Sequence, residues 1–432
     1  MRPDADVVVV GAGIAGLAAA HELRRAGRDV RVLEAADHVG GRMRTLRRDG
    51  FLLDTGAEQL ATRGYTATWA LLARLGLGRA DAPRIGHHLA VWRDGRAHPG
   101  LAHPLGLLTG AGLSLAARRE LVRVLGGSYD LDHPERGPHE TVTAFAAARH
   151  PDLLHYLCEP VVAGFFGWHA DRSAVAPLLA LLTSVGTTAS WRTYRDGMDT
   201  FARALAADLH VTCGVRVDGV VAEPDGARVL CGGDEIRARA VVLAVPAPVA
   251  RGLHANPPDH ERPYLDACTF TPIVKVHLML DTRPRSRPYV VVVPSVESPE
   301  LSTVILDHVK HPGRAPAGHG LITLMANPAI APDLLDAPDH EVVATLTAAA
   351  ERFLPGLGEA TRDAVVTRFR HGLPEATPRA LALRAGFVQH LGGVVDYAGD
   401  WVGLVPCSEV AVRSGRRAAA RVLTAVPRRQ HV

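Results

Sequence analysis

Asp6-Val-Val-Val-Val10 runs directly into Gly11-Ala-Gly13-Ile-Ala-Gly16. A helix-like stretch to Ala26 follows, then a second apolar strand ending in Val30-Arg-Val-Leu-Glu34, then Gly40-Gly41-Arg42. A lone G-x-G-x-x-G is weak, because short glycine patterns arise by chance; a strand before it and a helix after it give it meaning. Val7 to Val10 are an apolar run of the right length for a buried parallel strand. Gly11 permits the tight turn, Gly13 lets the backbone approach a pyrophosphate, and Gly16 lets the helix pack close to the strand. The first helical turn, around Ala15, offers free N–H groups and a partial positive charge to phosphate. Glu34 ends the second strand, where an acid accepts hydrogen bonds from ribose hydroxyls and repels a 2′-phosphate, which disfavours NADP.

Working outward, 432 residues are too many for one simple core, and two domains are expected. A net charge of +3 gives no basis for a nucleic-acid partner, and no block of basic residues interleaves with aromatics. The five cysteines (Cys158, Cys213, Cys231, Cys268 and Cys407) are scattered and form no C-x-x-C. That pattern favours reduced thiols and a cytoplasmic setting over a disulfide framework or zinc site. The 22 histidines show no H-E-x-x-H and no ligand spacing, so no metal is expected. The first strand starts within a few residues of Met1, leaving no room for a signal peptide. The longest apolar stretch, Ala174 to Val185, is interrupted by Pro177 and Thr183, and a membrane-spanning helix needs ~20 residues.

Further along stand Gly40-Gly41-Arg42-Met-Arg44, Asp54-Thr-Gly56-Ala57, Tyr397-Ala-Gly399-Asp400-Trp401 and Glu409-Val-Ala-Val-Arg-Ser-Gly415. With these motifs at both ends, the chain resembles the flavin-containing amine oxidase superfamily: monoamine and polyamine oxidases, protoporphyrinogen oxidases, and phytoene- and squalene-type desaturases. The resemblance implies an α/β fold, with a glutathione-reductase-like FAD-binding Rossmann domain interleaved with a mixed α+β substrate-binding domain. The FAD domain is expected from residues 1–78, 195–262 and 386–432, and the substrate domain from 79–194 and 263–385. The same resemblance makes Gly41, Arg42, Gly56, Ala57, Val217, Asp400 and Val410 cofactor contacts beside Gly11, Gly13, Ala15, Gly16 and Glu34. Arg44 is a further candidate for phosphate or ribityl oxygens. The helix from about Ser408 to Val422 is expected to aim its N-terminal N–H groups at the flavin pyrimidine edge. No cysteine lies between Cys268 and Cys407, which points to non-covalent FAD.

Local patterns add detail. Residues 79–194 read as largely helical, with helices at Leu113 to Leu125, Glu140 to Arg149 and Ala174 to Val185. Arg239 to Pro246 reads as a buried strand and turn. Of 48 Lys and Arg residues only Lys275 and Lys310 are lysine. Strand alternation through Pro272-Ile-Val-Lys275-Val-His277-Leu-Met-Leu280 places Lys275 and His277 together on a face that is not the main core face. The plain reading of Lys275 is a solvent-facing side chain. By resemblance to amine oxidases, it is instead a catalytic group bridged by water to the flavin N5 atom. His277 reads as structural. Glu58, after the Gly56 turn, is the candidate for orienting substrate or accepting a proton.

The C-terminal neighbourhood Gly403-Leu-Val-Pro406-Cys407-Ser408 lacks the aromatic ring usual in amine oxidases, and its spacing is more like that of desaturases. No second dinucleotide fingerprint serves a nicotinamide, so electrons are expected to leave for dioxygen or another acceptor. The expected activity is FAD-dependent hydride removal from a largely apolar small molecule, by C–C desaturation or aromatising oxidation. The alternatives are amine oxidation to an imine and a non-redox isomerisation. The sequence leaves the oligomeric state open.

Overall fold

A computed structural model describes residues 3–426, apart from His87, Ala102, Pro104, Leu105, Leu107, Leu108 and Arg287. In chain order the strands are β1 (Ala5–Val10), β2 (Val30–Glu34), β3 (Thr45–Arg48), β4 (Phe51–Asp54), β5 (Leu60–Ala61), β6 (Leu89–Arg93), β7 (Arg96–Leu101), β8 (Trp191–Arg192) and β9 (His210–Cys213). They continue with β10 (Gly219–Glu223), β11 (Gly226–Cys231), β12 (Asp234–Leu243), β13 (Phe270–Leu280), β14 (Val290–Val292), β15 (Leu301–Leu306), β16 (Gly320–Ala326), β17 (Thr361–Pro374) and β18 (Val395–Tyr397).

The valine run forms β1, and Val7, Val8 and Val9 are fully buried. It pairs in parallel with β2 on one side and β12 on the other; β9 and β18 extend the parallel sheet beyond them. The N-terminal half of β12 also pairs antiparallel with β11, which pairs with β10. The helix after the glycine turn runs Ile14–Arg25 and packs against the C-terminal helix Ser408–Ala425. Gly415 makes that approach possible, because a Cβ there would stand 2.1 Å from the Ala15 carbonyl oxygen. The expected fold class is therefore present: a parallel sheet opened by a glycine turn and completed by strands from the middle and end of the chain.

A second sheet has the order β17-β13-β16-β15-β14-β6-β7 and is antiparallel except where β14 meets β6. Here the sequence reading needs correction. Residues 79–194 contain the β6–β7 hairpin as well as helices. Its turn is Asp94-Gly95, with φ of 51° and 74°, the left-handed pair that matches the twist of a two-residue hairpin. The helices run Leu115–Leu125, Val142–Ala147 and Val175–Val185.

The strand carrying Lys275 also differs from expectation. Alternation along β13 holds, but both faces are covered. Val274, Val276, Leu278 and Leu280 pack in a cluster with Val342, Leu346 and Ala350 of the helix Asp339–Ala350. On the other face, Met279 joins Phe51, Leu53 and Leu321. Lys275 and His277 are 3% and 0% exposed, so neither faces solvent. A strand buried on both sides cannot reveal by periodicity which polar residue meets water. Among the described residues, no helix is long and apolar enough to cross a membrane.

Candidate active site

One cavity of about 650 Å³ runs from the glycine turn of the first sheet to the inner face of the second. At the first end its wall includes Gly11, Gly13, Ala15, Glu34, Gly40 and Gly41; Val217 closes the side. Gly13 leaves the groove open, since a Cβ there would meet nothing within 4 Å and would project into free space. Gly16 lies behind the wall, where a Cβ would fall 2.0 Å from the Gly11 carbonyl oxygen. The carboxylate of Glu34 is tied down from both sides: Oε2 accepts the Ala12 N–H at 2.6 Å and Oε1 accepts the Ala36 N–H at 2.9 Å. These features fit a dinucleotide: an open backbone approach, a helix N-terminus, and an acid at the end of β2.

Arg42 and Asp400, which sequence separates by 358 positions, meet in a two-pronged ion pair of 2.7 and 2.8 Å. Arg42 also donates to the Gly372 carbonyl at 3.1 Å. Gly56 and Ala57 lie beside Arg42, whose carbonyl accepts the Ala57 N–H at 2.8 Å. Farther on, Cys407, Ser408 and Ala411 bring the start of the C-terminal helix to the cavity. Val410 is not on the wall; its N–H bonds the Cys407 sulfur and its side chain packs over Gly403. Burial pushes the Cys407 thiol up to about 12, so the sulfur stays protonated, and it hydrogen-bonds Tyr65. Thus Tyr65, from the segment after β5, stands next to the C-terminal motif, and Trp401 of that motif lines the cavity as well. Phe165, Trp191 and Phe369 add aromatic surface from elsewhere.

Lys275 and Glu58 also line the cavity, and they touch. The Lys275 Nζ donates to Glu58 Oε1 and to the Gly56 carbonyl, both at 2.6 Å. The other Glu58 oxygen receives Lys310 Nζ at 2.5 Å. Lys310 in turn reaches Asp307 at 2.8 Å and Asp54 at 3.3 Å, and Arg314 holds Asp54 at 2.9 Å. Three cations and three carboxylates thus share one buried network whose formal charges cancel. Desolvation opposes charge on Lys310, but Asp307, Glu58 and Asp54 outweigh it and raise its pKa. Likewise burial disfavours the Asp54 anion, yet Arg314 and Lys310 bring its pKa below the usual carboxylate value.

His277 is hydrogen-bonded to Thr323 at 2.8 Å and Thr367 at 3.1 Å, and Thr323 donates to Asp307. Burial, with help from the Lys275 charge, lowers its pKa to about 3, so the ring is a neutral structural link. Sequence reasoning picked out Lys275 and Glu58 but missed Lys310, although the same rarity of lysine marks both. It also missed Tyr65, for which no local signal exists. Arg44 is not on the cavity wall.

Comparison with known proteins agrees with this geometry. The model for flavin-containing amine oxidoreductases matches residues 14–423. Coproporphyrinogen III oxidase of Propionibacterium freudenreichii is 31% identical over 192 residues, 42% of this chain and 36% of that protein. Putrescine oxidase of Kocuria rosea is 29% identical over 311 residues, 64% of each chain. Each match therefore spans less than two thirds of the relative's length. A solved putrescine oxidase with putrescine bound superposes with a TM-score of 0.76 at 20% identity, covering 97% of this chain and 99% of that one, a likeness of fold. With an open groove at the glycine turn, a second sheet lining the same cavity and a family match across nearly its whole length, the chain belongs to the flavin-containing amine oxidoreductase family.

Proposed function

We propose that this protein binds FAD non-covalently and oxidises a largely apolar small molecule, by C–C desaturation or aromatising oxidation. Bound flavin supplies the hydride acceptor and passes the electrons to dioxygen or another acceptor. Gly11, Gly13, Ala15, Glu34, Gly41, Arg42, Gly56, Ala57, Val217 and Asp400 form the cradle. Gly16 and Val410 support it from behind. Residues 1–78, 195–262 and 386–432 make up the cofactor half in this reading, and 79–194 with 263–385 the substrate half.

The observation that carries the substrate class is the state of the acids on the cavity wall. The carboxylates there are Glu34, Glu58 and Asp400. Each is already engaged: Glu34 by two backbone N–H groups, Glu58 by two lysines, Asp400 by Arg42. A substrate ammonium would find no spare carboxylate and would face the Lys275 ammonium, so it would enter at a desolvation cost. The substrate end is instead walled by Leu89, Leu101, Val161, Leu181, Ile305 and Met325. Glu58, with both oxygens taken, acts as the group that fixes the Lys275 ammonium at the wall. Lys275 then offers a compact positive charge and hydrogen-bond donor to the reacting region.

Coproporphyrinogen III oxidase among the relatives supports an oxidation that extends conjugation. The runner-up, imine formation from an amine, draws on Lys275 and on the putrescine oxidase relative. Anaerobic mixing of the yellow holoenzyme with panels of alkylamines, polyenes and porphyrinogens separates the readings. Bleaching of the flavin by a polyene or a porphyrinogen is expected. Bleaching by amines alone overturns the substrate class, and double-bond migration without bleaching replaces oxidation with isomerisation.

A further inference from the structure

Desaturation and aromatising oxidation remove two hydrogens from neighbouring atoms. One leaves as hydride, with its bonding pair, for the flavin. The other leaves as a proton, and the pair it leaves behind becomes the new π bond. That proton needs a base at the cavity wall. Glu58 is not free for the task, because Lys275 and Lys310 hold both its oxygens. Glu34 and Asp400 are engaged as well. Lys275, Arg42 and Arg216 on the wall offer donors only. Burial keeps the Tyr65 phenol and the Cys407 thiol protonated. Of the titratable side chains that line the cavity among the described residues, His371 is left.

An irregularity in the second sheet places it there. Where β17 pairs with β13, Ile273 stands opposite Phe369 and Thr271 opposite Leu373. Arg370, His371 and Gly372 therefore bulge against the single residue Pro272, which has no N–H to give the ladder. Gly372 lets the bulge close, since a Cβ there would stand 2.7 Å from the Thr271 carbonyl oxygen and 2.9 Å from the Ile273 nitrogen. Such a bulge re-aims side chains. Arg370 turns outward to Asp336 at 2.6 Å, while His371 lines the cavity, its ring edge-on to Phe270 with centroids 6.0 Å apart. Among the described residues neither His371 ring nitrogen has a hydrogen-bond partner, and neither is sealed off by the surrounding atoms. Desolvation, and after it the Arg370 charge, lowers the His371 pKa, so the ring is neutral at neutral pH and one nitrogen keeps a free lone pair. Arg42 reaches the same bulge through the Gly372 carbonyl at 3.1 Å, but Asp400 neutralises it.

We propose that His371 is the base that takes the proton from the substrate as hydride leaves for the flavin. The inference rests on the oxidation proposed above and supplies its second half. The imidazole gains one N–H bond and becomes a cation; the substrate loses a hydride and a proton and gains one double bond. No oxidant other than FAD is needed, and the imidazolium gives its proton to water once product has left. Paired strands then divide the work. Lys275 on β13, fixed by Glu58, is the donor at the wall, and His371 on β17 is the acceptor.

The test is anaerobic mixing of holoenzyme with the polyene and porphyrinogen panel between about pH 5 and 8, for the parent and for His371→Gln. In the parent the bleaching rate should be low in acid, where the imidazole is protonated, and rise to a plateau toward neutral pH. His371→Gln should bleach at least about 100-fold more slowly and lose that pH dependence, with the flavin spectrum and melting temperature of the parent. Arg370→Gln, altered on the outward side, should move the rise to higher pH and leave the plateau unchanged. A readout free of turnover comes from NMR of oxidised holoenzyme carrying isotope-labelled histidine. There the ring signal that His371→Gln lacks should be that of a neutral imidazole at neutral pH. Equal bleaching of parent and His371→Gln, a pH profile retained in His371→Gln, or a ring protonated at neutral pH overturns the assignment and leaves the oxidation standing. A parent that no member of the panel bleaches removes the oxidation itself, and the role of His371 with it.

Discussion

Lys310 is fully buried and holds three carboxylates together, Glu58, Asp54 and Asp307. Replacing it with methionine keeps most of the volume but strands negative charge in the interior. Breaking a buried pair from one side costs about 3–5 kcal/mol, much more than the pair contributes when intact. Lys310→Met should therefore lower the unfolding free energy by about that amount in denaturant titration. Lys310→Arg, which restores the charge in a less suitable shape, should recover part of it. A Lys310→Met variant as stable as the parent would show that these charges are not coupled as the distances indicate. At this scale, the sequence marked the right residue types without their relations. Two lysines among 48 basic residues are conspicuous in a bare string. That both would converge on Glu58 required β4, the turn after it, β13 and the residues following β15 to be placed in space.

Among elements, the clearest division of labour concerns the C-terminal helix. Its opening residues reach the cavity, yet Glu409 turns away from it and is fully buried. Its two oxygens accept the Ala67 and Thr68 N–H groups at 3.0 and 2.8 Å, at the start of the helix Thr66–Arg74, and Arg413 closes the arrangement at 2.6 Å. A carboxylate at a helix N-terminus satisfies orphan donors and meets the positive end of the helix dipole. Glu409→Ala should cost about 2–4 kcal/mol of stability, because it leaves two buried N–H groups without their acceptor and takes from Arg413 one of its two carboxylate partners, the other being Asp132. Thermal or denaturant melts of the variant check this; a change below about 0.5 kcal/mol would rule out the clasp. The E-x-A-x-x-S-G pattern was legible as a motif, and Ser408 and Ala411 of its opening turns line the cavity. Its glutamate serves a helix-to-helix joint that no spacing rule exposes. The β6–β7 hairpin teaches the complement: Asp94-Gly95 was a readable turn signal, hidden by the helical neighbours on either side.

On the scale of the whole molecule, the groove at the glycine turn is assembled from residues 10–57, the segment around Val217, the turn after β12 and the residues following β18. Anything that fills this groove binds only the folded arrangement, so it stabilises all of these segments together. Protein stripped of flavin should melt at a lower temperature than the same protein with FAD at about 100 times its dissociation constant, where linkage predicts about 2.7 kcal/mol. An unchanged melting curve, with no yellow colour regained, would remove the FAD assignment. The glycine turn, its flanking strand and helix, and Glu34 were determined by the sequence alone. Their chemistry is local: a tight turn, a close backbone approach and an acid at a strand end are fixed within about 30 residues. Tertiary structure alone decided that Lys275 is buried, that Arg42 meets Asp400 across most of the chain, and that Glu58 is shared by two lysines. Those are contacts between distant segments, and burial on both faces of β13 erases the alternation that would otherwise tell an inward side chain from an outward one.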